Sequence, residues 1–566
     1  MRNLPFFLLL AAGLLAAFTF YSSNTIDPAA IAGAETVMGL EFTSAQRDSM
    51  LDNLNEQRQG YELVRKHPIP NSLAPALTFD PRIGMEVPDS NWVHFISKGD
   101  LLSKNSMVAQ PVKTKLPKNR QELAFYTIPQ LAYLLKNQKI TSEELTRLSL
   151  ERLKKYNPQL QCVITLTEER AMESARRADK EIKDGKWRGL LHGIPYGAKD
   201  LLAVEGYKTT WGAGAYKDQE LKETAAVIKK LDEAGAVLVA KLSLGALAWG
   251  DVWFNGTTKK PWNLEEGSSG SSAGPASAVT AGLVPFAIGS ETWGSIVSPS
   301  TRTGITGLRP TFGTVSRSGA MALSWTMDKL GPMARNAEDC AIVYDAIRGY
   351  DATDPYSIAS RYVPSDKPLK DLKIGYLQAD FEADDYWARG RDSVVLAKFR
   401  ALGAKLEPVY LPTDDELPIE GLPAILSAEA AAAFDDLTRS QRDTLLVRQI
   451  KNAWPNVFRS ARFIPAVEYL QANRVRLELM KEVNKRFKDY DVIIAPTFSG
   501  NQLLITNLTG HPSLVMPTGL NDKGTPSGVS ICLLGNLFDE GKLVNVARQY
   551  QQATEWEEQR PGGFVD

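Results

Sequence analysis

From about residue 140 onward, short apolar runs that suit strands alternate with stretches patterned like helices, and few architectures accommodate such an alternation. CVITL at 162–166 suits a strand and ARRADKEI at 175–182 a helix; AVLVAKL at 236–242 suits a buried strand and ASAVTAGLV at 276–284 a helix. KIGYL at 373–377 and DVIIAPT at 491–497 also read as strands. Strands interleaved with helices imply an α/β fold around a central sheet. Two capping boxes mark helix starts. Thr43 to Gln46 opens a charged amphipathic helix that HPIP at 67–70 stops, and Thr141 to Glu144 opens one carrying Leu145, Leu148, Leu153 and Tyr156. Residues 67–120, rich in Pro, Asn, Ser and Lys, read as extended chain wrapping a domain. The stretch 350–490 is helix-rich with few chemical signals and reads as a pocket-shaping insert.

Charge excludes one large class of function. Lys+Arg number 65 against Asp+Glu 66, and no basic run stands out, so no nucleic-acid partner is expected. Cys162, Cys340 and Cys532 are far apart and form no CxxC, which removes a cysteine zinc site or a thioredoxin-like motif. One disulfide is open; Cys532, within VSICLL, reads as a core residue. Neither metal nor cofactor is expected, because clusters at ligand spacing are absent from the sequence.

A short basic start, Met1-Arg2-Asn3, precedes an apolar run from Leu4 to Tyr21. This pattern predicts an export signal over residues 1–22, and hence a periplasmic or secreted protein. At 18 residues the run is at the low edge of what crosses a bilayer, and it contains Pro5 and Gly13. A cleaved signal fits better than an anchor, and membrane contact is expected only if the segment stays uncleaved. No cysteine precedes Cys162, so a lipoprotein anchor is out.

The stretch from Gly267 to Gly313 is unlike the rest. Glycine and serine are dense there but interleaved with apolar residues, which a flexible linker would lack. Small residues let backbone N–H groups turn toward a ligand, which suits an oxyanion hole or a phosphate cradle. No Gly-Lys-Ser/Thr follows, so the P-loop fails. A serine nucleophile needs a proton acceptor, and the chain has only His67, His94, His192 and His511. GSSAG at 270–274 matches G-x-S-x-G, which leaves a Ser272…Asp491…His511 order formally open. That elbow should follow a strand, and PWNLEEGSS does not read as one.

GSSAG, SETWGSIVSPS at 290–300, GLRPTFG at 307–313, HGIPYGAKD at 192–200 and NLTGHPSLVMP at 507–517 together resemble the amidase signature family. The resemblance spans about Glu122 to Gln551. It implies a large mixed sheet flanked by helices, with a catalytic domain at 122–552, an N-terminal extension at 23–121 and a C-terminal tail at 553–566. It also implies a serine-serine-lysine triad. Four serines lie between Gly267 and Ala273, and GLVP at 282–285 sets the register. Ser271 becomes the bridging serine, in a cis peptide, and Ser295 the nucleophile 24 residues on; Lys199 is the base. Ser268 and Ser269 precede the motif, and Ser272 and Asp200 support it. The backbone N–H groups of Thr292, Trp293, Gly294 and Ser295 would form the oxyanion hole. Arg309 and Asp328 would brace the loops, and His192 and His511 would be structural.

Where the family usually has a small residue, this chain has Trp293. With Trp249, Trp253, Trp262 and Trp325 also in the motif region, Trp293 and Trp249 are expected to line a pocket for an apolar or aromatic amide. The resemblance leaves two other functions open. One is a glutaminase of the kind found in glutamyl-tRNA(Gln) amidotransferase, which an exported location would argue against. The other is a non-catalytic binding protein on the same scaffold.

Overall fold

The computed structural model describes residues 26–67, 77 and 110–565. The expected signal segment, 1–22, and most of the 67–120 stretch lie outside the described residues. Among those described, no helix is long and apolar enough to cross a membrane.

Eleven strands form one mixed sheet: β1 (Val163–Leu166), β2 (Pro195–Lys199), β3 (Val237–Leu242), β4 (Phe286–Glu291), β5 (Thr306–Arg309), β6 (Lys329–Ala334), β7 (Ile374–Leu377), β8 (Leu406–Val409), β9 (Val492–Pro496), β10 (Ser513–Pro517) and β11 (Ser530–Leu534). Across the sheet the order is β1-β3-β2-β4-β6-β5-β10-β11-β9-β7-β8. Parallel pairing joins β3, β2 and β4, whereas β4-β6-β5-β10-β11-β9 pair antiparallel. The strands expected at 162–166, 236–242, 373–377 and 491–497 are all present. β2, β3 and β4 are buried at every position, as strands covered by helices on both faces must be.

Both capping boxes form. Thr43 caps the helix Ser44–Lys66 with Gln46 reciprocating, and Thr141 caps Ser142–Leu160 with Glu144. The N-terminal extension docks on the helix-rich stretch: Ser49 bonds Asn456, Arg65 pairs with Glu468, and Met50 and Leu54 share a small core with Phe463. That stretch is scaffold as well as insert, because β7 and β8 belong to it and complete one edge of the sheet. The expected tail at 553–566 is anchored. Phe564 is buried against Tyr156, and its carbonyl accepts from Arg152. All three cysteines are buried free thiols, so no disulfide forms.

Candidate active site

The site assembles where three chain segments meet at one end of β2 and β4. Lys199 is the last residue of β2. Ser271 and Ser272 immediately precede the helix Ala273–Thr280, and Ser295 lies on the turn between β4 and the helix Val297–Thr303. The turn into the serines runs against backbone: a Cβ on Gly270 would sit 1.8 Å from the Gly250 carbonyl oxygen. Only glycine allows that approach. The Gly270–Ser271 peptide is cis, as the family resemblance implies.

The Lys199 side chain is fully buried. Its Nζ lies 2.7 Å from Ser271 Oγ, 2.8 Å from Ser290 Oγ and 3.1 Å from Ser272 Oγ. Among the described residues no carboxylate forms an ion pair with it, and burial pushes its pKa well below the ordinary lysine range, although Asp328 and Glu291 at longer range oppose the shift. Hydroxyls donate as well as accept, so this cage accommodates a neutral amine. Ser272 is held on both sides: its hydroxyl donates to the Ser290 carbonyl (3.0 Å) and accepts from the Ser290 N–H (3.1 Å). Its own N–H bonds the Ser295 carbonyl at 3.1 Å, tying the two serine loops together.

The loop carrying Ser295 stands on a buried ion pair. Glu291 Oε2 accepts from the N–H groups of Ile296 (2.8 Å) and Val297 (3.0 Å), while Oε1 takes Arg309 at 2.7 Å and Asn507 at 2.8 Å. Burial alone would raise the Glu291 pKa; the Arg309 guanidinium and these N–H donors outweigh it and hold the carboxyl at about 2. Arg309 in turn donates to Thr506 Oγ1 and the His511 carbonyl. Asp328 fixes the near end of the loop by accepting from Thr292 Oγ1 (2.5 Å), Leu323 N (2.8 Å) and Ser324 N (3.0 Å). The backbone N–H groups of Thr292, Trp293, Gly294 and Ser295 have no acceptor among the described residues. Gly294 turns there with φ of +88°. Unpaired N–H groups on one turn beside a serine hydroxyl make a ready anion site.

The family model "Amidase" matches residues 144–544. The chain belongs to the amidase family. A glutamyl-tRNA(Gln) amidotransferase component of Marinomonas sp. is 34% identical over 77% of this chain and 98% of its own, and its counterpart in Pseudomonas aeruginosa is 33% identical over 77% and 99%. Among solved structures, the native peptide amidase of Stenotrophomonas maltophilia aligns with a TM-score of 0.69 at 27% identity, covering 77% of this chain and 98% of its own. The fold is that of the amidase enzymes, and the chain is an amidase-family enzyme acting on amides.

In this amidase-family frame the structure brings Lys199, Ser271 and Ser272 into direct contact and leaves the half-buried Ser295 hydroxyl without a hydrogen-bond partner among the described residues. Asp200 points away into an ion pair with Lys241 at 2.6 Å and bonds to Thr210. Trp293 is 42% exposed and Trp249 lies beneath the Arg448 guanidinium; neither lines the cavity beside Thr292, whereas Trp325 does. Trp253 and Trp262 anchor to the Gln161 and Thr303 carbonyls.

Asn263–Gly267, expected not to be a strand, is one, in a two-stranded ribbon outside the main sheet. It does not rescue the Ser272…Asp491…His511 reading. His511 is buried against Thr509, Asp491 pairs with Lys542, and neither is bonded to Ser272. Sequence reasoning passed over Ser290 and Glu291. The available signal was a carboxylate closing the apolar run FAIGSE, where an acid is buried only if it is paired.

Proposed function

We propose that the protein hydrolyses carbon–nitrogen bonds of amides through an acyl-enzyme on Ser295, with Ser271 as proton bridge and Lys199 as base. The observation that carries this reading is the Lys199 amine, buried without an acid partner among the described residues and 2.7 Å from Ser271 Oγ. Neutral Lys199 accepts the Ser271 hydroxyl proton while Ser271 accepts that of Ser295, and Ser295 Oγ attacks the carbonyl carbon. The carbonyl oxygen, becoming an anion, is held by the N–H groups between Thr292 and Ser295. The tetrahedral centre then collapses: the C–N bond breaks, and the relay returns its proton to the departing amine. Water repeats the sequence on the ester, releasing the acid and restoring the Ser295 hydroxyl. The Ser295–Ser271 contact is left for substrate binding to close, in keeping with the looser hydrogen bonds of unliganded active sites.

A second reading is favoured by the amidotransferase components that are 33–34% identical to this chain: a glutaminase that hands ammonia to a partner complex. We propose the first because residues 1–22 read as an export signal, which would separate the chain from cytoplasmic tRNA. Fractionation and N-terminal sequencing test the export; an intact, cytoplasmic chain removes that objection. Hydrolysis of a panel of amides, glutamine included, tests the chemistry. Ser295→Ala and Lys199→Ala should both abolish turnover and His511→Ala should preserve it. A dead His511→Ala beside an active Ser295→Ala would transfer the nucleophile to Ser272.

A further inference from the structure

Beside the oxyanion turn lies a half-open cavity of about 230 Å³. Ser290 and Thr292 join it to the chemistry, since Ser290 Oγ contacts Lys199 and Thr292 begins the turn that carries Ser295. Its other walls include Leu201, Met321 and Leu323, with the half-exposed Trp325 also on the lining.

Three charged side chains line this space, Arg317, Asp328 and Asp354, and each is already engaged. Arg317 pairs with Asp354 (3.4 Å), donates to the Trp325 carbonyl (2.6 Å) and packs its guanidinium over the Phe312 and Tyr356 rings at 4.9 and 5.1 Å. Asp354 also accepts from the Arg317 N–H at 2.8 Å. The Asp328 carboxylate is taken up by Thr292, Leu323 and Ser324. The cavity therefore offers apolar surface, and its one cationic side chain, Arg317, is already taken by Asp354. A carboxylate entering it would give up water without gaining a free cation, and would meet the Asp328 carboxylate as a like charge.

Building on the catalytic reading of Ser295, we infer that this cavity receives an uncharged, apolar substituent of the amide. The same lack of a free cation makes glutamine, with its α-carboxylate, a poor substrate. This separates the chain from the amidotransferase components it resembles in sequence.

The test is a selectivity ratio, which does not depend on the fraction of active protein in a preparation. The full chain is assayed on acetamide through hexanamide, and on N-methyl- through N-butylacetamide, so that substituents on the acyl and the amine side are probed separately. In one of the two series kcat/KM should rise roughly fourfold per added methylene until the space is full. Ala322→Phe and Met321→Trp, which fill the cavity from two positions, should bring that longest-to-shortest ratio to within about twofold of unity. Glutamine should be turned over at least ~100-fold less efficiently than the longest member of the responding series, in line with burying an unpaired charge. Flat series in the unmodified protein, ratios unmoved by both filling variants, or efficient glutamine turnover overturn the inference. If hydrolysis is nonetheless abolished by Ser295→Ala, only the cavity assignment falls; hydrolysis that survives Ser295→Ala sinks the catalytic reading instead.

Discussion

Two lysines buried on neighbouring strands show how the same side chain comes to serve opposite ends. In the parallel β2–β3 pair, Ala198 is registered with Lys241 and Lys199 with Leu242, so the two lysine side chains leave opposite faces of the sheet. Both are wholly buried. Lys241 meets Asp200 at 2.6 Å, with the Lys208 carbonyl and Thr209 Oγ1 completing its shell. Among the described residues, Lys199 bonds serine hydroxyls and a carbonyl. Burial disfavours the charge in both, and the acid partner opposes that effect strongly only for Lys241. What separates a structural lysine from a candidate base is therefore the company it keeps and not its depth.

Replacing each lysine in turn breaks the comparison most sharply. Lys199→Met should lower kcat by roughly 10⁴-fold or more while leaving the unfolding midpoint near that of the unmodified protein. Lys241→Met should do the reverse. By orphaning the buried Asp200 carboxylate it should cost about 3–5 kcal/mol in denaturant unfolding, and Asp200→Leu added to it should recover part of that loss. Lys241→Met that leaves stability intact would show that the pair is not held as ions.

Converting one lysine's environment into the other's sharpens the point. The proposed mechanism requires neutral Lys199, so activity should fall as pH drops through that group's lowered pKa. Ser290→Asp places a carboxylate where Ser290 Oγ now stands, 2.8 Å from Nζ, and favours the charged amine. The acid limb of kcat/KM should then move upward by roughly 1–3 pH units. An unmoved limb would mean that another group sets it.

A smaller effect concerns stability alone. Burial, then Arg309, pushes His511 down to about 3, so the folded chain keeps this imidazole neutral where the unfolded chain, near 6.5, takes up a proton. Stability from this group is present above pH 6.5 and declines by about 1.4 kcal/mol per pH unit as pH falls toward 3. His511→Asn should flatten that slope between pH 6 and 4 relative to the unmodified protein. Smaller still, Thr43→Ala removes one cap from the helix Ser44–Lys66 and should cost about 1 kcal/mol.

Much of this was legible along the chain. Apolar runs became β1, β3, β7 and β9, and both capping boxes formed, because strand burial and helix capping are decided by residues within a few positions of one another. The family resemblance implied Ser271 beside Lys199, and the structure brings them together although 72 residues separate them. Sequence alone did not decide which buried lysine pairs with an acid, since that depends on where Asp200 turns and which hydroxyls close around Nζ. Nor did it show that Glu291 and Arg309 carry the Ser295 loop, that Phe564 anchors the C-terminal segment, or that Trp325 and not Trp293 or Trp249 lines the cavity beside Thr292. Desolvation and charge pairing act through space between segments far apart in the chain, so only the packed structure assigns them.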